Sequence, residues 1–445
     1  MKKHLVGFSA TAASLGGLLF GFDTSVISGT TDAMQKLWNL SAGELGFTVS
    51  CALIGTIIGA LGGGMPADKY GRLPMLKVIA FLYTTTAVLV AVAPTWWFFI
   101  VFRTLGGVAI GASSVIAPLY LAEIAPTKRR GKLVATFQLN IVMGIVLAYL
   151  SNFIIVKLMP IEIGWRWMLA VQAVPAVVFW ILCYVIPESP RWLYRKGRTE
   201  EAKEIMGGLF DDDEYNRVLT LLRKPQATQK ASAPFFNKHN ARPIFMAALI
   251  AFFSQFAGTN AVLYYAPSLL ANAGIPGDAA FAASILVGLT NLIFTFIGRA
   301  LVDRVGRRPL VGWGTAIDCI ALFAIAFIFA RSGGKLDQQS GILVLVLILV
   351  FIAALATGIG SVLWVFISES FAPAYRAGGQ AVGSASHWIS AAIISGTFPV
   401  LFEWSKTGTF IFYGACMFAA VLWVIFLMPE TKGRALEEIG ADTTN

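Results

Sequence analysis

Asp68-Lys69-Tyr70-Gly71-Arg72 returns 235 positions later as Asp303-Arg304-Val305-Gly306-Arg307, and each copy lies in a charged gap between two long apolar stretches. Two further pairs keep nearly the same offset. Glu123 with Arg130 recurs as Glu369 with Arg376, 246 positions on, and Pro187-Glu188-Ser189 recurs as Pro429-Glu430-Thr431, 242 positions on. Three pairs in one order identify an internal duplication, and the apolar setting makes it the duplication of a membrane protein.

Of the 445 residues, 57% are hydrophobic and 13% are charged, about half the charge of an ordinary soluble domain. A hydrocarbon core of about 30 Å needs roughly 20 helical residues per crossing. Twelve apolar runs of that kind occur, near 5–29, 45–66, 74–94, 96–122, 132–156, 166–186, 243–272, 281–302, 309–330, 341–368, 377–402 and 406–428. The expected fold is an all-α membrane protein of twelve transmembrane helices in two pseudo-symmetric six-helix bundles with a cytoplasmic helical linker. The expected boundaries are 1–188 for the first bundle, 189–242 for the linker, 243–430 for the second bundle and 431–445 for a cytoplasmic tail.

The net charge of +10 raises the question of nucleic acid, and its distribution answers against it. With both termini in the cytoplasm, loops on that side hold 27 of the 34 Lys and Arg. The outer side holds Lys36, Lys157, Arg166, Arg331, Lys335 and Lys406, while Arg103 lies within a helix. This bias follows the positive-inside rule and predicts a multi-pass protein of the cell (inner) membrane with both termini cytoplasmic. Cys51, Cys183, Cys319 and Cys416 fall in separate apolar runs, which predicts core filler and neither a metal site nor a disulfide framework. The start, Met1-Lys2-Lys3-His4, looks like a signal peptide until the apolar run continues through Asp23, so a retained first helix is expected.

In the linker, Thr199 is expected to cap a helix whose first turn holds Glu200 and Glu201, favourable at the positive end of a helix dipole. Ala202, Ile205, Met206 and Leu209 make one apolar face at helical spacing, expected to lie against the cytoplasmic ends of the bundle. The part from Lys224 to Lys238 reads as a flexible tether.

Six segments, in order, are those of a known family. They are Gly17-Leu18-Leu19-Phe20-Gly21-Phe22-Asp23, Asp68 to Arg72, Tyr120-Leu121-Ala122-Glu123-Ile124-Ala125-Pro126 through Arg130-Gly131, Pro187-Glu188-Ser189-Pro190-Arg191, Asp303 to Arg308, and Pro429-Glu430-Thr431-Lys432-Gly433. The chain resembles the sugar porters of the major facilitator superfamily. Such duplicated membrane proteins move one half against the other around a site at the repeat interface.

Asp68, Arg72, Glu123, Arg130, Asp303, Arg307, Arg308, Glu369 and Arg376 cluster at cytoplasmic helix ends, where they either latch the halves as a cytoplasmic gate or serve as topology signals and fold-holding pairs. The family's first loop usually ends Gly-Arg-Arg, whereas Leu73 follows Arg72 here, which predicts a thinner first half of that latch. Asp23 and Arg103 each cost roughly 2.5–3.5 kcal/mol near a helix centre. With a rise of about 1.5 Å per residue, Asp23 sits roughly 25 Å above the start of helix 1 and Arg103 roughly 28 Å above the same face, so they can pair. An Asp whose Arg partner can be withdrawn is a proton switch. The resemblance implies that coupling role; the rival reading is a permanent pair that only orients two helices.

A sugar presents hydroxyls and an apolar ring face, so its site needs amides and aromatic surface. Gln138, Gln255, Asn260 and Asn291 lie in apolar segments where an unpaired amide is costly, and Trp364 and Trp388 offer ring platforms. The resemblance implies that these positions and Phe20 contact sugar and that Tyr264 or Tyr265 closes an external gate; for each amide alone, interhelical bonding is the rival. Three positions depart from the family pattern. Ser254 precedes Gln255 where adjacent glutamines are usual, Gly358-Ile359-Gly360-Ser361 lacks both prolines so that any hinge rests on glycine, and His387 replaces an amide before Trp388.

The expectation is a functional monomer that imports a monosaccharide such as D-xylose, glucose or galactose by proton symport, using no cofactor, metal or nucleic acid, and is not an enzyme. The nearest rival is a proton-independent uniporter of the same sugar. A drug-proton antiporter lacks the amide and tryptophan constellation, and a membrane sugar sensor carries a larger tail than the stretch after Lys432. No Gly-x-x-x-x-Gly-Lys loop supports an ATP-driven pump.

Overall fold

A computed structural model describes residues 2–223, 235–333, 336–371 and 375–432, which are helical throughout with no strand among them. Among the described residues, twelve stretches are long and apolar enough to cross a bilayer. Of the tether read over 224–238, residues 224–234 lie outside the described residues, as do Lys335 and the tail from 433 onward, and Lys238 already begins a helix.

The chain divides into two compact units, one of residues 1–33 and 51–228, the other of residues 34–50 and 229–445. The first contains α1 (Lys2–Val26), part of α2 (Thr31–Trp38), the second half of α3 (Ala42–Gly62), α4 (Gly64–Tyr70), α5 (Arg72–Ala91), α6 (Trp96–Ile124), α7 (Arg130–Leu158), α8 (Ile161–Val171) and α9 (Ala173–Leu182). Three short helices end it: α10 (Pro190–Arg195), α11 (Thr199–Leu209) and α12 (Asp212–Arg223). Close packing in this unit relies on small residues. At Gly17, Gly21 and Gly144 a methyl group would strike the facing backbone of α7 or α1, so the two helices run nearly in backbone contact.

The sixth apolar run starts earlier than expected, at Ile161, and is broken at Gln172. Pro175 explains the break, because it has no N–H to give to the carbonyl of Val171. Thr199 is not the cap of α11. It is the first helical residue, the cap position is Arg198, and the Thr199 hydroxyl turns back to the Gly197 carbonyl at 3.5 Å. The apolar face does form, with Ala202, Met206 and Leu209 buried and α11 packed against α1 and α10.

The second unit holds α13 (Lys238–Phe256), α14 (Thr259–Tyr264), α15 (Ala266–Asn272), α16 (Gly277–Val305), α17 (Arg307–Arg331), α18 (Gln338–Thr357), α19 (Ile359–Glu369), α20 (Arg376–Trp404) and α21 (Lys406–Phe426). The run expected as one helix over 243–272 is therefore three pieces. Gly258 breaks it with φ +88°, a conformation that L side chains rarely adopt, and a methyl there would meet the Tyr413 ring at 2.7 Å. A second break falls at Gly358, between α18 and α19, where Gly314 of α17 approaches so closely that Cβ at either glycine would come within 3.0 Å of the other's Cα. Large apolar side chains such as Ile58, Trp97, Trp313, Ile320 and Phe327 remain exposed on the outside, as expected of surfaces facing lipid.

Candidate functional site

The three duplicated motifs meet in the same way in each unit. In the first, Arg72 is buried and forks onto Glu123, with Nε to Oε2 at 2.8 Å and Nη2 to Oε1 at 3.0 Å, while its Nη1 reaches Asp68 at 2.9 Å. Glu188 then accepts the backbone N–H groups of Arg72 at 3.2 Å and Leu73 at 3.1 Å, the unsatisfied donors at the start of α5. In the second, Arg307 forks onto Glu369 at 3.0 and 2.8 Å and reaches Asp303 at 3.0 Å, while Glu430 accepts N–H from Arg307 and Arg308 at 3.1 and 3.0 Å. Each helix start follows a glycine at positive φ, +113° at Gly71 and +108° at Gly306. Removing one partner from such a buried pair costs roughly 3–5 kcal/mol, because the other charge stays behind uncompensated.

Glu123 and Glu369 thus pair with Arg72 and Arg307, not with the Arg130 and Arg376 that recur beside them in the sequence. Buried nitrogens of Arg130 and Arg376 have no partner among the described residues. The Arg308 side chain binds the carbonyls of Val424 and Ile425 at 3.0 and 2.5 Å, closing the end of α21. Leu73 therefore removes a helix-capping side chain and leaves the carboxylate pairs intact.

The two capping carboxylates are tuned in opposite directions. Burial lifts Glu188 above the ordinary carboxylate range in spite of the N–H bonds from Ser189, Leu73 and Arg72. At Glu430 burial also pushes upward, but N–H donors from Lys432, Arg307, Arg308 and Thr431 outweigh it and hold the group below that range. The Glu188 contribution to stability is therefore full below the unfolded pKa of about 4.3 and is lost as pH rises through the raised folded value. The Glu430 contribution is present above about 4.3 and is lost as pH falls through the lowered value. Unfolding temperatures of purified protein across acidic and neutral pH should show this: Glu188→Gln flattens the profile on the alkaline side of that point and Glu430→Gln on the acid side. Profiles that shift without changing shape would refute the assignment.

Asp23 and Arg103 meet in the first unit, both buried at 5% and 3% exposure. Arg103 Nη1 donates to Asp23 Oδ1 at 2.6 Å and Nη2 donates to the Asp23 carbonyl at 2.8 Å. Gln172 Nε2 donates to the same Oδ1 at 2.9 Å, placed there by the α8–α9 break. Gln172 was not among the sequence candidates, although an amide inside an apolar run beside a proline was the available signal. Phe20 is buried three residues before Asp23 on α1, and Gln138 stands exposed on α7.

In the second unit a connected polar and aromatic cluster forms around the α13–α14 break. Gln255 Nε2 lies 3.3 Å from both ring nitrogens of His387, Ser254 Oγ lies 3.3 Å from His387 Nδ1, and Asn260 Nδ2 donates to Gln255 Oε1 at 2.8 Å. The His387 ring sits 5.2 Å from that of Trp364 and 4.9 Å from that of Trp388. Gln380, also absent from the sequence candidates, donates to the Trp364 carbonyl at 3.3 Å. Asn291 stands apart on α16, where its Oδ1 accepts from Thr295 at 3.5 Å. Tyr264 and Tyr265 are buried, and the Tyr265 hydroxyl donates to the Ser395 carbonyl at 3.0 Å. Asp318, in the middle of α17, is fully buried, and neither carboxylate oxygen has a partner among the described residues. It was not among the sequence candidates, although an acid inside the apolar run 309–330 was the available signal.

One centre thus joins a buried carboxylate to a guanidinium and an amide, and the other gathers amides and an imidazole beside two indole rings. The sequence model of the family described as "Sugar (and other) transporter" matches residues 9–442. The chain is 35% identical to the D-xylose transporter of Levilactobacillus brevis, over 99% of this chain and 96% of that one. It is 33% identical to the D-xylose-proton symporter of Escherichia coli (strain K12), over 98% and 95%, and 33% identical to the arabinose-proton symporter of Bacillus subtilis (strain 168), over 98% and 96%. Among solved structures it matches the inward open conformation of the xylose transporter XylE from E. coli with a TM-score of 0.86 at 33% identity, covering 98% of this chain and 99% of that one.

Proposed function

The chain belongs to the sugar (and other) transporter family, and from that premise we propose that it is a secondary active transporter importing a monosaccharide together with a proton by alternating access. It is a multi-pass membrane protein and not an enzyme. The relatives named above carry pentoses, so D-xylose and arabinose lead the substrates, followed by glucose and galactose.

The observation that carries the proton half of this reading is the shared oxygen of Asp23. Arg103 and Gln172 both donate to Oδ1, so a proton arriving on that carboxylate competes directly with two donors that tie α1 to α6 and to the α8–α9 break. Loading the proton therefore loosens the helix contacts, and losing it restores them. For the sugar half, the support is the Gln255, Asn260 and His387 network beside the Trp364 and Trp388 rings of the second unit; the family resemblance adds Phe20, Gln138 and Asn291. Amides that both donate and accept suit hydroxyls, and the indoles suit the apolar ring face. The two six-helix halves, 1–188 and 243–430, are the moving bodies; Tyr264 and Tyr265 close the external side. The carboxylate and arginine sets at the helix ends are read as the cytoplasmic gate, each set tying together helix ends of its own half. The Lys and Arg bias supports a reading with both termini on the cytoplasmic side of an inner membrane, with the monomer as the working unit.

Adding D-xylose, arabinose, glucose or galactose to cells or vesicles containing the protein should alkalinise the outer medium as the transported sugar enters. Uptake of a sugar with no alkalinisation would remove the symport reading and leave facilitated diffusion.

A further inference from the structure

At the cytoplasmic end of the first unit, a cavity of about 230 Å³ is lined by Ala122, Glu123, Arg130, Arg191, Arg195 and Leu222. Three guanidinium groups face one carboxylate. That carboxylate is already engaged: Arg72 forks onto both oxygens of Glu123 from the other side, and Arg195 Nη2 takes Oε1 at 2.5 Å. Arg191 reaches only the backbone carbonyl of Glu123, at 3.3 Å through Nε. Its Nη2 and the Nε of Arg130 are buried with no hydrogen-bond partner among the described residues.

The nearby acid does not supply the missing partner. Glu214 of α12 is committed to Thr127, accepting its N–H at 2.7 Å and its hydroxyl at 2.6 Å. Burial pushes against ionisation of Glu214, yet those Thr127 bonds hold it below the ordinary carboxylate range. Arg191 shows the opposite imbalance: burial and the neighbouring Arg130 charge both push its pKa down, against the pull of Glu123 and Glu214. The site also lies at the start of α7, a helix of 29 residues with no side-chain cap. Its positive dipole end adds to the same field, and Gly131 opens onto free space.

A buried donor left without an acceptor is costly, and two arginines set side by side with free donors are the geometry that forks onto phosphate oxygens. We propose that this cavity is a binding site for a phosphate group, held by Arg130, Arg191 and Arg195 at the uncapped start of α7. The bound group would join α10 to α7 beneath the linker helix α12. A free phosphate of the cytosol and the headgroup of a phospholipid present the same chemistry.

Full-length protein in maltoside micelles, titrated calorimetrically with inorganic phosphate and separately with dihexanoyl-phosphatidic acid, tests the site and separates the sources. Saturable one-to-one binding of inorganic phosphate, weakened at least tenfold in Arg191→Gln, is the expected result. Binding of the phosphatidic acid alone, with the same dependence on Arg191, would assign the phosphate to a lipid headgroup and sustain the site. Arg191→Lys, which keeps the charge and loses the fork, should fall between the two and serves if Arg191→Gln does not fold. No binding of either probe, or equal binding by wild type and the Arg191 variants, would overturn the proposal.

Discussion

Asp23→Asn is expected to abolish uphill accumulation of sugar while leaving sugar exchange in place. The asparagine keeps the size of the side chain and an oxygen that Arg103 and Gln172 can still reach, so the α1–α6 contact survives in outline. What it cannot do is gain and lose a proton. At one proton per sugar, each pH unit of gradient is worth about 1.4 kcal/mol, or about tenfold accumulation; the variant should fall to an accumulation ratio of about one at every gradient. Counterflow of labelled against unlabelled sugar in the same vesicles is the companion measurement and should continue. If accumulation persists in the variant, Asp23 is not the coupling group; if accumulation and exchange vanish together in folded protein, the pair only holds two helices in place.

Gln255→Leu should have the second large effect, this time on recognition. Gln255 is the hub of its cluster, touching His387 and Asn260, and leucine fills similar space without an amide. A sugar hydroxyl would lose its partner, and Asn260 and His387 would each lose a bond. Two or three such losses at roughly 0.5–1.5 kcal/mol each sum to about 1–4.5 kcal/mol, an affinity about 5- to 2000-fold weaker. Equilibrium binding of labelled sugar reads this directly. An unchanged affinity in Gln255→Leu would move the sugar site away from this cluster.

The twelve crossings were legible in the sequence because a bilayer enforces length and apolarity on every span, and the structure departs from the reading mainly inside spans. The breaks at Gln172, Gly258 and Gly358 interrupt stretches whose hydropathy runs on without a gap; only Pro175 and the glycines marked them. That Asp23 and Arg103 lie at one depth followed from rise per residue. Which arginine serves Glu123 did not, since Arg130 is close in sequence while Arg72 arrives from another helix. Gln172 and Asp318 were visible as polar residues in apolar runs, but counting along one helix does not say which neighbour, if any, a side chain meets.

The two knots at the helix ends have a consequence for biosynthesis. Every bond in the first, from Asp68 and Arg72 through Glu123 to Glu188 and Arg195, uses residues of the first unit alone, and the second, from Asp303 to Thr431, is equally self-sufficient. A ribosome that has released the chain through the linker has therefore delivered a half whose charged end is already closed. The first half need not wait in the bilayer with bare carboxylates for its twin to be made, and chains of this size fold unit by unit from the N-terminus. A duplicated gene thus yields two successive folding events, each sealed by its own copy of the motif.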